Sequence, residues 1–207
     1  MTGPGIGVFG GTFDPIHRGH LVVAEEIRVK LGLAEVFFVP TGQPWLKSRG
    51  SVSPAKQRLE MVRLATRGNP HFKVSTIETD RSGPSYTVDT MEILRQQAGD
   101  EAELWFFLGG DALAELPKWK EPRRLIQLCR LAAFARPGFP LPLLGSLEQA
   151  IPGLSQRVTF VEVSQVDISA TEIRRLLAQG ASIHNLVPEA VERYIQEHKL
   201  YREGRER

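Results

Sequence analysis

The chain has 207 residues, of which 42% are apolar and 24% are charged, and its formal net charge is +2. This length and composition are typical of one compact globular domain, and they exclude a disordered chain or a multidomain assembly. The near balance of 26 basic and 24 acidic residues also argues against a dedicated nucleic-acid or membrane-surface binder. We therefore expect no nucleic acid and no membrane among the partners, and any functional basic side chain must act locally at a site.

The chain contains a single cysteine, Cys129, so neither an intrachain disulfide nor a cysteine-based zinc site can form. The amino-terminal sequence MTGPGIGVFGGTF lacks the basic region and long apolar run of a signal peptide. No stretch of the chain approaches the ~20 apolar residues that a membrane span needs. These features predict a soluble, cytoplasmic protein.

Short apolar runs alternate with helical patterns along the chain. Strands are predicted at 5–10, 35–41, 72–80, 103–110, 130–136 and 158–163, and helices at 19–31, 53–68, 87–99, 121–129, 171–179 and 188–198. Gly32 is the expected C-cap of the first helix and Ser53 the expected N-cap of the second. The tail 201–207 is expected to fray. This alternation predicts an α/β fold with a parallel sheet that helices cover on both faces.

The unusual polar segments of the sequence all fall at the carboxyl ends of predicted strands. They are GGTFDPIHRGH (10–20), TGQPWLK (41–47), RSGPSYT (81–87), GGDA (109–112) and SQVDISATEIR (164–174). Because ligands of parallel α/β sheets bind at the carboxyl ends of the strands, these segments are expected to form one shared site.

Gly5, Gly7 and Gly10 match the G-x-G-x-x-G pattern of dinucleotide-binding proteins letter for letter. They lie inside the first predicted strand, however, and the acidic residue expected about 20 residues further on, at the end of a second strand, is missing. We therefore expect these glycines to permit close packing at the centre of the sheet.

The segment from Gly10 to His20 contains the strongest functional signal. His17 and His20 are three residues apart at the start of a predicted helix, where exposed N–H groups and two imidazoles can cradle a phosphate. Gly10 and Gly11 would let a ligand approach the backbone closely. The alternatives are two incidental surface histidines, or a metal site that also uses Asp14. The flanking glycines favour phosphate.

Three further clusters have both a functional and a structural interpretation. In ISATEIR, the hydroxyls of Ser169 and Thr171 and the guanidinium of Arg174 can form a second anion site, or an ordinary N-cap beside a solvated arginine. Asp111, after Gly109 and Gly110, can accept hydrogen bonds from ribose hydroxyls or cap a helix. The turn RSGPSYT can form an anion pocket, or its Thr87 can be the N-cap of the next helix.

Two of these segments together carry a family resemblance. GGTFDPIHRGH resembles the (T/H)xGH-type signature of the nucleotidyltransferase superfamily, which is related to class I aminoacyl-tRNA synthetases. ISATEIR (168–174) resembles its ISSTxIR signature, with Ala170 in place of Ser. Together with LGGDALAELPKWK (108–120), RSGPSYTVDT (81–90) and ARPG (135–138), the sequence resembles the bacterial nicotinate-nucleotide adenylyltransferase family over nearly the whole chain.

The resemblance implies a Rossmann-like doubly wound parallel sheet in a single nucleotidyltransferase domain (1–207), with a C-terminal helical part at about 168–200. It implies adenylyl transfer from ATP to nicotinate mononucleotide, giving deamido-NAD and pyrophosphate in NAD biosynthesis. Mg²⁺ is expected to accompany ATP without a protein-built metal site. The rival interpretations are another nucleotidyltransferase, acting on nicotinamide mononucleotide, pantetheine phosphate, FMN or a cytidylyl acceptor, and a non-catalytic nucleotide-binding module. The oligomeric state stays open.

The resemblance also implies roles for individual residues. Catalytic roles fall to His17, His20 and Arg174. The ATP site is implied to contain Gly10, Gly11, Thr12, His20, Gly109, Asp111, Ser169, Thr171 and Arg174. The mononucleotide site is implied to contain Lys47, Ser85, Tyr86, Thr87, Trp119, Lys120 and Arg136, with Trp119 stacked on the pyridine ring.

One loop departs from the family pattern. After the second strand the family commonly has a PPHK-like sequence, whereas this chain has QPWLK (43–47), so a bulky apolar pair replaces the histidine. We expect residues 42–50 to form a mobile lid from which Lys47 meets a phosphate. Without substrate, Trp45 is expected either to pack into the mouth of the site or to fold back on the neighbouring helix.

Overall fold

The computed structural model of the chain describes residues 5–45, 52–99 and 101–201. The strands within these ranges are β1 (Gly5–Gly11), β2 (Glu35–Pro40), β3 (Phe72–Val74), β4 (Glu103–Gly109), β5 (Arg130–Phe134) and β6 (Val158–Phe160). All pair in parallel, in the order β3-β2-β1-β4-β5-β6. The order reverses between β1 and β4, and ligands of such sheets bind beyond the carboxyl ends of the strands at that point.

Helices follow the strands as the alternating pattern predicts. They are α1 (Arg18–Lys30), α2 (Ala55–Thr66), α3 (Thr87–Ala98), α4 (Gly110–Ala114), α5 (Pro122–Leu128), α6 (Leu144–Ala150), α7 (Ala170–Ala178) and α8 (Glu189–Glu197), with short 3-10 turns at Leu116–Lys118 and Leu154–Gln156. In the described part of the chain, no helix combines the length and the apolar character that crossing a membrane requires.

Two apolar cores lie on the two faces of the sheet. Side chains of successive strand residues point to opposite faces. Phe9 and Phe107 accordingly pack in the core that contains residues of α1, α2, α7 and α8. Their neighbours Val8 and Phe106 pack in a separate core with residues of α3, α4, α5 and α6. The predicted doubly wound, Rossmann-like parallel sheet is therefore confirmed.

The glycines of β1 serve packing at the centre of the sheet, as the sequence predicts. A Cβ atom on Gly7 would lie 2.6 Å from a ring carbon of Phe107, and one on Gly10 would lie 3.1 Å from the ring of Phe106. Because β1 lies between β2 and β4, its Cα atoms face large aromatic side chains of the adjacent strand. A side chain larger than hydrogen has no room at Gly7.

Several predicted boundaries were wrong. Ser53 is not the N-cap of α2; Pro54 takes that position, without a side-chain cap. β3 ends at Val74, because the chain then turns, with the Asp80 N–H donating to the Thr76 carbonyl at 2.8 Å. The strand predicted to reach residue 163 ends at Phe160. Helix α6 was not predicted, and α4 was anticipated only through the alternative that Asp111 caps a helix.

Candidate active site

The two histidines of the first motif lie side by side where β1 leads into α1. His17 is the N-cap of α1 and His20 lies in its first turn. Their rings stack, with the centroids 3.7 Å apart and the planes inclined by 25°. Gly19 makes room for this pair, because a Cβ at that position would lie 3.1 Å from Nδ1 of His17. The mouth of α1 thus presents two imidazoles at one place.

Hydrogen bonding and packing fix the orientation of the His20 ring. The His17 backbone N–H donates to Nδ1 of His20 at 3.2 Å. The edges or faces of Phe9 and Phe13 enclose the ring, with centroids 5.9 and 5.0 Å away. A neutral imidazole has one acceptor and one donor nitrogen, so the bond to Nδ1 places the proton on Nε2. His20 therefore offers an Nε2–H donor in a fixed direction.

Both histidines are uncharged at neutral pH. Burial, and then the charge of Arg136, lower the pKa of His17 to about 4. Burial, then His17 and then Arg136 lower the pKa of His20 well below its ordinary value. Desolvation disfavours the charged form of a histidine and a nearby cation adds to that effect. The pair can therefore donate hydrogen bonds without carrying charge.

Arg136 carries the positive charge that lowers the pKa of both histidines, and it is paired with Asp111. Its Nη2 donates to Oδ2 of Asp111 at 2.5 Å. Asp111 was alternatively expected to cap a helix, and that expectation was wrong, because Gly109 is the N-cap of α4. Oδ1 of Asp111 is buried without a hydrogen-bond partner. The resemblance implies a place for Arg136 in the mononucleotide site, which stays a prediction; in the structure its guanidinium is paired with Asp111, a predicted ATP-site residue.

The glycines at the strand ends are explained by packing inside the protein. A Cβ on Gly11 would lie 3.0 Å from the Phe13 ring, and one on Gly109 would lie 2.6 Å from Oδ1 of Asp111. A Cβ on Gly110 would lie 2.5 Å from the carbonyl oxygen of Pro140. The expectation that a ligand approaches the backbone at Gly10 and Gly11 stays a prediction, and any such approach comes from a direction other than the one in which a Cβ would point. Their place in an ATP site stays a prediction.

The second predicted anion site lies at the start of α7. Ser169 is the N-cap, and its Oγ accepts a hydrogen bond from the Glu172 N–H at 3.1 Å. Arg174 is half-buried and bonded within the protein, whereas the structural alternative expected a solvated side chain. Its Nη2 donates to Oγ1 of Thr171 at 3.3 Å and its Nη1 donates to the carbonyl of Asp14 at 2.7 Å. Arg174 thus joins α7 to the turn that carries the histidines.

Both carboxylate oxygens of Asp14 are hydrogen-bonded within the protein. Its Oδ1 accepts a hydrogen bond from the Tyr201 hydroxyl at 2.6 Å, and its Oδ2 accepts one from the Ser53 N–H at 3.1 Å. Among the residues that the structure describes, no group of three or more histidine, cysteine, aspartate or glutamate side chains could hold a metal ion. The Asp14 carboxylate is instead used for structure. Tyr201 is bound here and not frayed, while 202–207 lie outside the described residues.

Residues from the start of α3 and from the segment after α4 form a second group. Tyr86 is the N-cap residue of α3, so the alternative of a Thr87 N-cap was wrong. The Lys120 ammonium lies 4.9 Å from the centre of the Tyr86 ring, and it is also paired with Asp89 at 2.8 Å. Trp119 packs edge-on against Phe106 with centroids 6.0 Å apart. The predicted mononucleotide residues Tyr86 and Lys120 are thus brought together.

Ser85 anchors the loop that follows β2. It is buried, and its Oγ accepts hydrogen bonds from the N–H groups of Gly42 and Gln43 at 3.1 and 3.2 Å. Trp45 lies against the start of α3, with its ring centroid 5.8 Å from that of Tyr86. Because Tyr86 is both the N-cap of α3 and a predicted mononucleotide residue, this contact does not distinguish the two arrangements expected for Trp45. Lys47 and the remainder of the expected lid, 46–50, lie outside the described residues.

Arg58 organises the site and was not predicted. Its guanidinium is only 1% exposed and donates to three carbonyls, those of Thr12 at 2.8 Å, Gly42 at 3.1 Å and Ser53 at 2.8 Å. It therefore ties the turn after β1 to the loop after β2. The signal that could have found it is an arginine at helical spacing from the apolar pair 61–62 of α2.

Glu78 is a second buried ionisable residue that the sequence analysis missed. Its Oε1 accepts a hydrogen bond from the Thr90 hydroxyl at 2.7 Å, and burial raises the pKa of its carboxyl. Its carbonyl oxygen would lie 2.1 Å from a Cβ on Gly42. Glycine is therefore required at the first residue of the loop that Arg58 and Ser85 hold.

Comparison with known proteins identifies the class to which this fold and site belong. Residues 8–176 match the model of the cytidylyltransferase-like family, so the chain belongs to that family. Among its relatives, a probable nicotinate-nucleotide adenylyltransferase of Dehalococcoides mccartyi (strain ATCC BAA-2266 / KCTC 15142 / 195) is 47% identical over 195 residues, 94% of this chain and 96% of that protein. One of Roseiflexus sp. (strain RS-1) is 45% identical over 202 residues, 98% of this chain and 100% of that protein.

Solved structures share the fold. The Plasmodium falciparum nicotinic acid mononucleotide adenylyltransferase complexed with NaAD superposes with a TM-score of 0.78, at 19% identity, over 96% of this chain and 98% of that chain. The same protein complexed with APC gives a TM-score of 0.76, at 19% identity and with the same shares covered. At this identity the likeness shows the fold alone.

Proposed function

We propose that this protein transfers the adenylyl group of ATP to nicotinate mononucleotide, releasing pyrophosphate and deamido-NAD. The observation that carries the proposal is the stacked, uncharged pair His17 and His20 beside Arg136, at the mouth of α1 and at the carboxyl end of β1. The relatives that match nearly the full chain bear the name of this activity.

The reaction needs no nucleophile from the protein. A phosphate oxygen of the mononucleotide attacks the α-phosphorus of ATP and forms a new P–O bond. The bond from the α-phosphorus to the oxygen bridging to the β-phosphorus breaks, and pyrophosphate leaves with that electron pair. Catalysis then consists of positioning two anions and stabilising the charge that develops between them.

The residues at the mouth of α1 suit the α-phosphate. The Nε2–H of His20 is a preorganised donor for charge developing on the transferred group, and the guanidinium of Arg136 adds a positive charge nearby. Arg174 and Thr171, joined to the same turn through Asp14, suit the β- and γ-phosphates that become the leaving group. The Asp111 carboxylate, which is paired with Arg136, can also accept a hydrogen bond from a ribose hydroxyl.

The second group of residues suits the pyridine nucleotide. Trp119 offers an aromatic face for the pyridine ring, and Tyr86, Thr87 and Lys120 lie at the start of α3 or next to it. Ser85 contributes by holding the loop after β2, because its hydroxyl is occupied by backbone N–H groups. We propose this group as the mononucleotide side of the site.

Mg²⁺ enters, on this proposal, as the complex with ATP. The Asp14 carboxylate is taken by Tyr201 and Ser53, and the Asp111 carboxylate is paired with Arg136. These contacts support an ion held by phosphate oxygens and water in place of a protein cage, which is the usual mode for Mg²⁺ with nucleotides. We place the enzyme in the cytoplasm, where its free thiol, Cys129, would stay reduced.

The test is to incubate the protein with ATP, Mg²⁺ and, in separate reactions, nicotinate mononucleotide, nicotinamide mononucleotide and phosphopantetheine, and to follow pyrophosphate. Release with nicotinate mononucleotide well above the other two supports the proposal. Equal kcat/KM for the acid and the amide would refute specificity for nicotinate, and release only with phosphopantetheine would refute the pyridine assignment. A chain that binds ATP but releases no pyrophosphate in any of the three reactions would be a non-catalytic binding module.

A further inference from the structure

Tyr201 lies far from the histidines in sequence and is bonded directly to the turn that carries them. Its hydroxyl donates to Oδ1 of Asp14 at 2.6 Å, across 187 positions of the chain. Burial, and then the carboxylate of Asp14, raise the pKa of the phenol, so Tyr201 stays protonated and remains a donor. This hydrogen bond joins the C-terminal part of the described chain to the turn that contains Asp14 and His17.

Asp14 connects Tyr201 to three other parts of the site, namely Ser53, Arg174 and the start of α1. It is 4% exposed, and its second carboxylate oxygen accepts the Ser53 N–H. Its carbonyl accepts Nη1 of Arg174 at 2.7 Å. Three residues after Asp14 comes His17, the N-cap of α1. A displacement of Asp14 would therefore move both the guanidinium and the stacked imidazoles that face the ATP phosphates in the proposed function.

The backbone on both sides of this contact adopts left-handed conformations. Phe13, directly before Asp14, has a φ angle of 48°, and Lys199 and Tyr201 have φ angles of 50° and 63°. Non-glycine residues pay an energetic cost in this region and keep it only where the surrounding contacts hold them. The backbone is therefore strained on both sides of the Tyr201–Asp14 hydrogen bond. This strain favours a functional role for the contact.

We propose that Tyr201 is a positioning residue for the ATP side of the active site, acting through Asp14 on Arg174 and on the turn from Gly10 to His20. It touches no substrate itself. The inference rests on the proposed function for the identity of the nucleotide. It also predicts a selective effect: removing the hydroxyl disturbs ATP, whereas the mononucleotide group at the start of α3 keeps its own contacts.

The decisive variant is Tyr201→Phe, which removes the hydroxyl and keeps the ring. We expect the dissociation constant for Mg·ATP, measured by titration calorimetry without any acceptor, to rise on the order of fivefold, as the loss of one hydrogen bond to a carboxylate allows. The KM for ATP should rise similarly and kcat should fall, while the KM for nicotinate mononucleotide stays within twofold of wild type.

The matched control is Tyr194→Phe. Tyr194 is a tyrosine of α8 that stacks on His198 and makes no contact with Asp14 in the described structure. All measurements are made below the unfolding transition of each variant, so that a smaller folded fraction does not imitate weaker binding. An unchanged ATP dissociation constant in Tyr201→Phe, or equal changes in the two KM values, would overturn the proposal. So would an equal loss of ATP affinity in Tyr194→Phe.

A double-mutant cycle tests whether Tyr201 acts through Asp14. In an Asp14→Asn background the bond to the hydroxyl is weaker, so Tyr201→Phe should change ATP affinity less than it does in the wild type. An undiminished effect would show a separate route and refute the positioning role. A wild-type chain that binds ATP but produces no pyrophosphate would refute the proposed function alone, because the calorimetric comparison would still decide the role of Tyr201.

Discussion

Acidification should destabilise the free protein through His17 in particular. The ordinary pKa of this imidazole is 6.5, and burial followed by the charge of Arg136 lowers it to about 4 in the folded chain. Between these values the unfolded chain binds a proton that the folded chain refuses, so the free energy of unfolding falls as the pH falls. Above pH 6.5 both states hold a neutral ring, and the effect is absent.

The size of the effect follows from the difference between the two pKa values. At about 1.4 kcal/mol per pH unit, it amounts to on the order of 3 kcal/mol when the pH has dropped to 4. Most of it, about 2.5 kcal/mol, is already lost at pH 4.5. A typical domain has a free energy of unfolding of about 5–15 kcal/mol, so this single ring would account for a substantial part.

The assay is urea unfolding of the wild type and of His17→Gln at several pH values from 4.5 to 7.5. Carboxylates that titrate in both proteins cancel in the difference between their free energies of unfolding. The free energy of unfolding of the wild type minus that of His17→Gln should therefore be about 2–3 kcal/mol lower at pH 4.5 than at pH 7. A difference that stays constant over this range would show that His17 is not buried as a neutral ring, and the reasoning would be wrong.

Other substitutions test the site and the sheet. His20→Ala should lower kcat by on the order of 10² to 10³ in the pyrophosphate assay, with a much smaller change in ATP affinity, because its donor acts on charge that develops during transfer; a variant that keeps most of its kcat would contradict this role. Trp119→Ala should raise the KM for the mononucleotide and leave that for ATP unchanged; equal changes in both would argue against stacking. Gly7→Ala should lower the free energy of unfolding by on the order of 2 kcal/mol, because the new Cβ meets Phe107. Gly145→Ala is its control, since no atom lies within 4 Å of that Cβ, and it should be neutral or stabilising; equal effects of the two would contradict the packing explanation.

The alternation of strands and helices was readable from the sequence because its signal is local. Apolar runs bounded by glycine or proline mark buried strands, and residues at helical spacing mark the helices between them. Helix α4 has five residues, too few turns to show a period, and α6 buries only Leu147, so its sequence carries no apolar stripe. Their positions depend on packing against distant elements, which no local pattern records.

The motif residues could be predicted because their signal is also local. The residues that they contact in the fold could not be predicted. His17 and His20 are three positions apart, so their shared side of the helix follows from spacing alone. Ser85 is a residue type that can bind an anion, yet its hydroxyl accepts hydrogen bonds from the backbone of Gly42 and Gln43, more than 40 positions away. Arg58 meets Thr12 across 46 positions. A side chain's residue type indicates which bonds it can make, and only the fold decides which partner receives them.

The hydrogen bond from Tyr201 to Asp14 also bears on how the protein is made. During synthesis the turn with the histidines emerges from the ribosome well before Tyr201, which is added 187 positions after Asp14. Contacts between such distant positions form late, because long loops must close before the contact gains anything. A nascent chain can therefore hold the complete β1–α1 motif and still lack its finished geometry. Termination before residue 201 should yield a folded sheet with an unfinished nucleotide site.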